Sequence, residues 1–335
     1  MEENFGKGAV HDKVDLRDYK WSDIGAASMP FDWNVGYDIE TSGAIPSKNQ
    51  GNSYSCGGQA WSYYMAVLKG GDERSAKFIY SQTFAAGGGS SGRDNSNIVI
   101  KQGDSKESLC TSYENGATPS EAFMQRPQDI TPEAKADATN DKALSYAMVN
   151  ASIDDVAQAI RDNKGCIVLI HGQNNGTWTT AFPLAPDPAN GNQLWSHWLY
   201  CGKAKMIDGK KYIGAKNSWG DVGENGWQWL SEDHFKGAIQ YGWTIAPVPD
   251  APVGFTFKKD LSFSMTDPDI LHLQVYLNNH GFPVALSGAG SSGQETNHFG
   301  YMTKKAVIKL QTANNINPTL GFVGPLTRAY LNSHQ

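Results

Sequence analysis

The stretch NQGNSYSCGGQAWSYYMA, residues 49–66, sets a cysteine between small polar residues and an apolar helical pattern. Cys56 follows Ser53 and Ser55 and precedes Gly57 and Gly58, whereas a buried structural cysteine ordinarily sits among Val, Ile and Leu. Beyond it Ala60, Trp61, Tyr64, Met65 and Leu68 recur at helical spacing until Gly70 and Gly71 end the run. The spacing predicts a helix that starts at the thiol or just after it. Unpaired N–H groups and the helix dipole favour a thiolate at that position, so the thiol is a candidate nucleophile.

Outward from this helix the chain changes character. Residues 1–28 are polar, carry no helical period and read as an extended strap around HDKVDLRDYKW. Residues 72–145 are irregular, and AAGGGSSG within them reads as a surface loop. SIDDVAQAIRDNKG reads as a capped helix, with Ser152 as N-cap, Asp155 three residues on and Gly165 as the stop. Strand patterns follow in CIVLIHG, QLWSHWLYCGKAKMI, KKYIGAKNSW and GWQWL, separated by turn residues such as Asp208-Gly209. A helical first half and a stranded second half predict an α+β body of two lobes with a cleft between them. At residues 246–254 the composition shifts to APVPDAPVG, which reads as the start of a linker over 247–264. Residues 265–335 have their own apolar periodicity and predict three short helices.

Bulk properties narrow the function. The chain has 335 residues, 39% hydrophobic and 19% charged, with a net charge of −6, which argues against a general nucleic-acid binder. Residues 255–335 carry six basic and four acidic side chains, so the acidic excess lies in the rest. No apolar run is long enough for a membrane span, and MEENFGKGAV does not read as a signal peptide. The four cysteines, 56, 110, 166 and 201, show neither a CxxC pair nor zinc spacing. Buried free thiols are expected at 166 and 201, with a bridge between them as the alternative. No cofactor and no metal are expected.

A cysteine nucleophile needs a base, a group to orient that base and donors for an oxyanion. His197 in LWSHWLYCG, Asn217 and Trp219 in GAKNSWGDVGENGWQWL, and Gln50, six residues before the thiol, are the candidates. Taken alone, such a histidine is ordinarily a core residue and such an asparagine a turn former. Together, AIPSKNQGNSYSCGGQAWS, WSHWLYCG and KNSWGDVGENGW resemble papain-like cysteine peptidases in the Gln-to-Cys step, the order Cys, His, Asn and the NSWG turn. The likeness covers residues 29–246, where MPFDWNVG resembles the start of the family's mature domain. It implies a papain-like fold, with Cys56 as nucleophile, His197 as base and acid, Asn217 as its orienting residue and Gln50 as oxyanion donor. Trp219 would cover the His–Asn bond, and Gly88 and Gly89 would pair with an extended substrate. Three positions depart from the family pattern. Gly57 stands where Trp is common, Ser53 where many relatives have a disulfide cysteine, and Trp198 where a small residue is usual. The last is expected to narrow the cleft or reshape a substrate pocket.

In the final segment, LQVYLNNHGF, FGYMTKKAVIKLQ and GFVGPLTRAYLNS resemble a peptidoglycan-binding-like domain over residues 265–335. Its expected apolar face comprises Ile270, Leu273, Leu277 and Phe282, then Ala306, Val307 and Leu310, then Leu326, Ala329, Tyr330 and Leu331. Such modules accompany cell-wall enzymes and exported peptidases, which implies a bacterial, extracellular or envelope-associated protein. The implied partners are a protein or peptide substrate and peptidoglycan or another cell-surface polymer. A cell-wall peptide hydrolase, or a catalytically silent binding protein of the same fold, are the alternatives.

Overall fold

The computed structural model describes residues 8–13, 15, 18, 20–24, 29–39, 46–143, 145–172, 178, 195–245, 255–286, 288–291 and 294–334. The chain divides into two compact units, Met1–Val14 with Tyr19–Ala246, and Asp15–Asp18 with Pro247–Gln335.

The alternation read in the second half of the chain becomes an antiparallel sheet. Its strands are β2 (Tyr37–Asp38), β4 (Ala147–Val149), β5 (Cys166–Gly172), β6 (Trp195–Ile207), β7 (Lys210–Lys216), β8 (Trp227–Ser231) and β9 (Ile239–Thr244). The order is β4-β9-β5-β6-β7-β8, with β2 on β6. Asp208 and Gly209, both at positive φ, make the β6–β7 hairpin turn expected of that dipeptide. Successive residues point to opposite faces, so each face serves a different core. Val168, Ile170, Leu199 and Cys201 join Val156, Ala157 and Ile160 of α7 (Ile153–Asn163). Ile167, Leu169, Trp198 and Tyr200 join Ala60, Trp61 and Tyr64 of α2 (Cys56–Leu68). Ser152 caps α7 through Asp155 N–H as expected, and Lys164 rather than Gly165 takes the left-handed cap conformation. Gly165 has another use, because a Cβ there would lie 2.5 Å from Tyr200 and 2.8 Å from Tyr64. Cys166 and Cys201 face each other across β5 and β6 as free thiols, like the other two cysteines.

The segment expected to be irregular contains α3 (Ala76–Tyr80), α4 (Gly92–Lys101), α5 (Glu121–Met124) and α6 (Pro132–Thr139). Helix α4 escapes an apolar-period reading because its buried positions include Asn95 and Ser96, held by Thr83 Oγ1–H (2.8 Å) and Trp61 Nε1–H (3.1 Å). The strap also departs from the expectation of a wholly extended segment. Trp21–Ile24 form one helical turn, α1, with Trp21 buried, while Ala9–Val10 form β1, parallel to β3 (Ser90–Ser91).

In the second unit α8 (Pro268–Asn279), α9 (Tyr301–Ala313) and α10 (Pro325–Ser333) surround a core of Ile270, Leu273, Leu277, Ala306, Val307, Leu310 and Leu331. Two expectations are corrected. Phe257 and Leu261 are buried in that core, and Leu261 exchanges backbone hydrogen bonds with Val323, so 255–264 belongs to the module rather than to a linker. Leu326 is 65% exposed and Ala329 is exposed too, and Thr327 takes the inward place by receiving a Gln311 Nε2–H bond. The remainder of the expected linker, 247–254, lies outside the described residues.

Candidate active site

Cys56 is the first residue of α2, which places its thiol where the sequence pattern put it. The preceding turn is tied by Ser53 Oγ–H to Gln50 O (2.7 Å), while Ser53 and Ser55 hydroxyls bond each other. Gly57 has a steric reason, since a Cβ there would lie 2.3 Å from Ser90 Oγ and 2.4 Å from Asn95 Nδ2. The thiol is 0% exposed. Burial pushes its pKa up to about 12, and the N–H groups of Trp198, Gly8, Gly57 and Cys56 itself pull the other way. In this closed arrangement desolvation outweighs the helix terminus, so the sulfur is a thiol.

His197 lies on β6, beside Trp198, the residue whose N–H reaches Cys56. Its Nε2 is 2.9 Å from Asn217 Oδ1. Ser218 N–H also donates to that oxygen (2.7 Å), and Asn217 Nδ2–H donates to Gln228 Oε1 (2.7 Å). These bonds make Oδ1 the acceptor facing the ring, so His197 carries its hydrogen on Nε2. The Trp219 ring lies 4.8 Å from the imidazole at 32° and is itself buried. Trp195 meets the imidazole edge-on at 6.2 Å, and Trp178 touches both other indoles, which completes an aromatic wall.

Backbone pairing fixes Gln50 against the same turn. Gln50 N–H donates to Ser218 O (2.9 Å), Gly220 N–H donates to Lys48 O (2.9 Å), and Asn217 N–H donates to Gly226 O (2.9 Å) at the base of the loop. The buried Gln50 side chain accepts from Ser218 Oγ (2.6 Å) and donates to Ser53 O (2.8 Å). Gln50, Cys56, His197, Asn217 and Trp219 are thus joined through contacts of neighbouring residues into one cluster.

The cover over the thiol is the chain's own strap. Ser90 N–H donates to Gly8 O at 2.9 Å, and β1 continues parallel to β3. Gly88 and Gly89 stand beside this pairing rather than in it. Gly88 N–H is used by Ala85 O (2.9 Å) and Gly89 N–H by Tyr80 Oη (2.8 Å). A Cβ on Gly89 would lie 2.3 Å from Gly8 O, so its missing side chain admits the strap while Ser90 makes the bond. Asp12 anchors the strap further on, accepting from Arg93 N–H (2.9 Å), Trp243 Nε1–H (3.0 Å) and Tyr241 Oη–H (3.1 Å). His11 Nε2 and His171 Nε2 are 2.7 Å apart. Trp198 does not narrow the cleft. It is buried against Trp61 and its Nε1–H holds Ser90 O (3.0 Å), bracing β3 from behind.

Gln228, Trp178, Trp195 and the Ser90 backbone were not singled out by sequence reading. Trp195 and Gln228 do carry a signal, since Trp195 stands two positions before His197 on the same strand and Gln228 pairs with Ala215, two positions before Asn217, across β7 and β8. Among the described residues, no group of three or more His, Cys, Asp and Glu side chains could hold a metal ion, and no helix is long and apolar enough to cross a membrane.

This arrangement is the papain-like fold. Xylellain, a cysteine protease from Xylella fastidiosa, superposes with a TM-score of 0.58 at 20% identity, covering 74% of this chain and 98% of that one. Procathepsin B S9 from Trypanosoma congolense gives 0.55 at 11% identity, with 73% and 87% covered. Digestive procathepsin L 3 of the Tenebrio molitor larval midgut gives 0.53 at 17% identity, with 73% and 77% covered. Residues 266–331 match the family model described as "Putative peptidoglycan binding domain". By sequence, no curated protein matches the chain.

Proposed function

We propose that this protein is a cysteine endopeptidase, captured here with its N-terminal strap across the nucleophile. The observation that carries the reading is the His197 Nε2 to Asn217 Oδ1 contact of 2.9 Å, held beside the residue that caps the Cys56 sulfur. When the strap leaves, water reaches the sulfur and the desolvation that keeps it neutral is relieved. Cys56 gives its proton to His197 Nδ1, and the thiolate attacks the carbonyl carbon of a peptide bond. Cys56 N–H and a Gln50 Nε2–H donate to the oxyanion, a task for which Gln50 must share or exchange its bond to Ser53 O. As the C–N bond breaks, His197 passes the proton to the leaving amine. A water deprotonated by His197 then releases the acid and restores the thiol.

The strap supports a substrate-binding assignment as well. An extended segment already lies along Ser90, so the Ser90 backbone serves as the pairing edge for substrate, with Gly88 and Gly89 providing clearance. Residues 265–335 act as a targeting module for peptidoglycan or a related surface polymer, which sets the enzyme at the cell envelope outside the cytoplasm. The match over 266–331 supports this reading, and it also favours a second one, in which the substrate is the peptide of the wall itself. The test is hydrolysis of unfolded casein against purified muropeptides by the wild type and Cys56→Ala. Cysteine-dependent cleavage of casein supports the endopeptidase, cleavage of muropeptides alone supports the wall hydrolase, and hydrolysis retained by Cys56→Ala overturns both.

A further inference from the structure

The polar groups behind Asn217 form a chain whose direction is set at its far end. Gln228, on β8 and 2% exposed, donates through Nε2 to Trp178 O at 2.6 Å and accepts through Oε1 from Asn217 Nδ2 at 2.7 Å. A carbonyl oxygen only accepts, so the glutamine amide must present its nitrogen to Trp178 and its oxygen to Asn217. Asn217 must then present nitrogen to Gln228 and oxygen to His197. Ser218 N–H, a pure donor, demands the same orientation from the other side. The buried glutamine is thus expensive to place and bonded at both ends of its amide, which distinguishes it from a solvated strand residue.

We propose that Gln228 is a positioning residue of the His197–Asn217 pair. By locking the Asn217 carboxamide it keeps Oδ1 on His197 Nε2 and holds the imidazolium that forms when Cys56 is deprotonated. The inference rests on the catalytic reading of His197 given above. Its consequence is electrostatic as well as geometric. A fixed Oδ1 acceptor favours the protonated ring, so loosening Asn217 lowers the pH at which the ring loses its second proton. The titratable groups around the pair are Cys56, beneath the Trp198 N–H; Tyr63, whose hydroxyl reaches Asn217 O at 3.5 Å; Lys216, whose ammonium donates to Asn225 O at 2.6 Å; and His234, whose ring lies 6.3 Å from that of Trp178 and whose Nδ1 accepts from Ser231 N–H at 3.1 Å. None is altered by the substitutions below.

The experiment compares the full chain with Gln228→Met, which keeps the length without the amide, and Gln228→Glu, which still accepts from Asn217 Nδ2. The readouts are kcat and KM on a dipeptidyl coumarin amide, the iodoacetamide alkylation rate of Cys56 against pH, and the thermal midpoint. Gln228→Met is expected to lower kcat by about tenfold, the worth of one ordinary buried hydrogen bond, with KM little changed and the alkaline limb of alkylation moved to lower pH. Gln228→Glu, buried and therefore a neutral carboxyl, still donates to Trp178 O and accepts from Asn217 Nδ2, so it is expected to retain most of kcat and to keep the limb near its wild-type position. A limb moved by Gln228→Met and held by Gln228→Glu is not produced by a general loosening of the fold. An unmoved limb in Gln228→Met, or losses of kcat that track only the thermal midpoint, overturn the inference. Should Gln228→Met fail to fold, Gln228→Leu is read in its place, with the same expected and overturning results. Wild-type alkylation at Cys56 that does not depend on His197 would instead sink the catalytic reading itself, and this inference with it.

Discussion

The two halves of the site are secured in different ways. His197 sits on β6 and Asn217 just past the end of β7, where the ring, the carboxamide and the turn behind them are bonded to Ser218, Gln228, Gly226 and Trp178 and walled by indoles. Cys56 is covered by a strap whose described strand has two residues, anchored mainly through Asp12. The first half is a fixed device that can be damaged only by breaking buried bonds. The second is a removable cover, since its backbone pairing is short and its side-chain anchors lie near the surface. On the proposed reading, the acid–base group is built to persist and the nucleophile to be exposed on demand.

Predictions follow the size of that contrast. Cys56→Ala should abolish turnover while leaving the thermal midpoint nearly unchanged, because it deletes one atom at the cleft; residual cysteine-independent hydrolysis on a purified sample contradicts the assignment. Removing residues 1–14 should raise iodoacetamide labelling of Cys56 at pH 7 by about a hundredfold, as the thiol leaves the desolvated state that holds it near 12. Equal labelling of both chains would show that the strap is not the cover. Asn217→Ala should slow turnover by about thirtyfold, less than His197→Ala, since it removes a charge-assisted hydrogen bond rather than the proton carrier. Equal losses would mean that Asn217 does more than orient.

The smallest effect concerns the strap's second anchor. Burial, then the neighbouring His11, holds the His171 pKa below its usual value. The two Nε2 atoms share one hydrogen at 2.7 Å, so the contact needs at least one neutral ring. Its contribution to closure is present above the ordinary imidazole pKa of about 6.5 and is lost as the pH falls through the depressed value. Asp12 and Tyr241 lie beside this pair, bonded to each other. Relative to the chain lacking 1–14, labelling of the full chain at pH 5 should exceed that at pH 7 by about threefold, and His171→Asn should flatten the ratio. A ratio untouched by that substitution removes the pair from the latch.

How much of this was legible in the sequence depended on which force holds each part. Helix α2, the capped α7 and strands β5 to β8 were readable because apolar burial at a fixed period makes them. Helix α4 was hidden because Asn95 and Ser96 are buried by hydrogen bonds, which leave no hydrophobic stripe. Gln228 was hidden for the converse reason. In WQWL a polar residue between tryptophans reads as the solvent face, yet this one points to Trp178 O and Asn217. The strap contact was not legible in the glycine loop, since glycines mark where the backbone must come close while the bond to Gly8 O is made by Ser90. The residues expected as a linker reached into the module because Phe257 and Leu261 sit too far from its helices to show in their periodicity.

The most direct test of an activated nucleophile under a removable cover is intact-mass labelling with an epoxysuccinyl thiol-protease inhibitor. The samples are the wild type, His197→Ala and the chain lacking residues 1–14, each followed by peptide mapping. The account predicts one adduct on Cys56, slow in the full chain, fast without the strap and lost with His197. Labelling spread over several cysteines, or a Cys56 adduct indifferent to both the strap and His197, would contradict it.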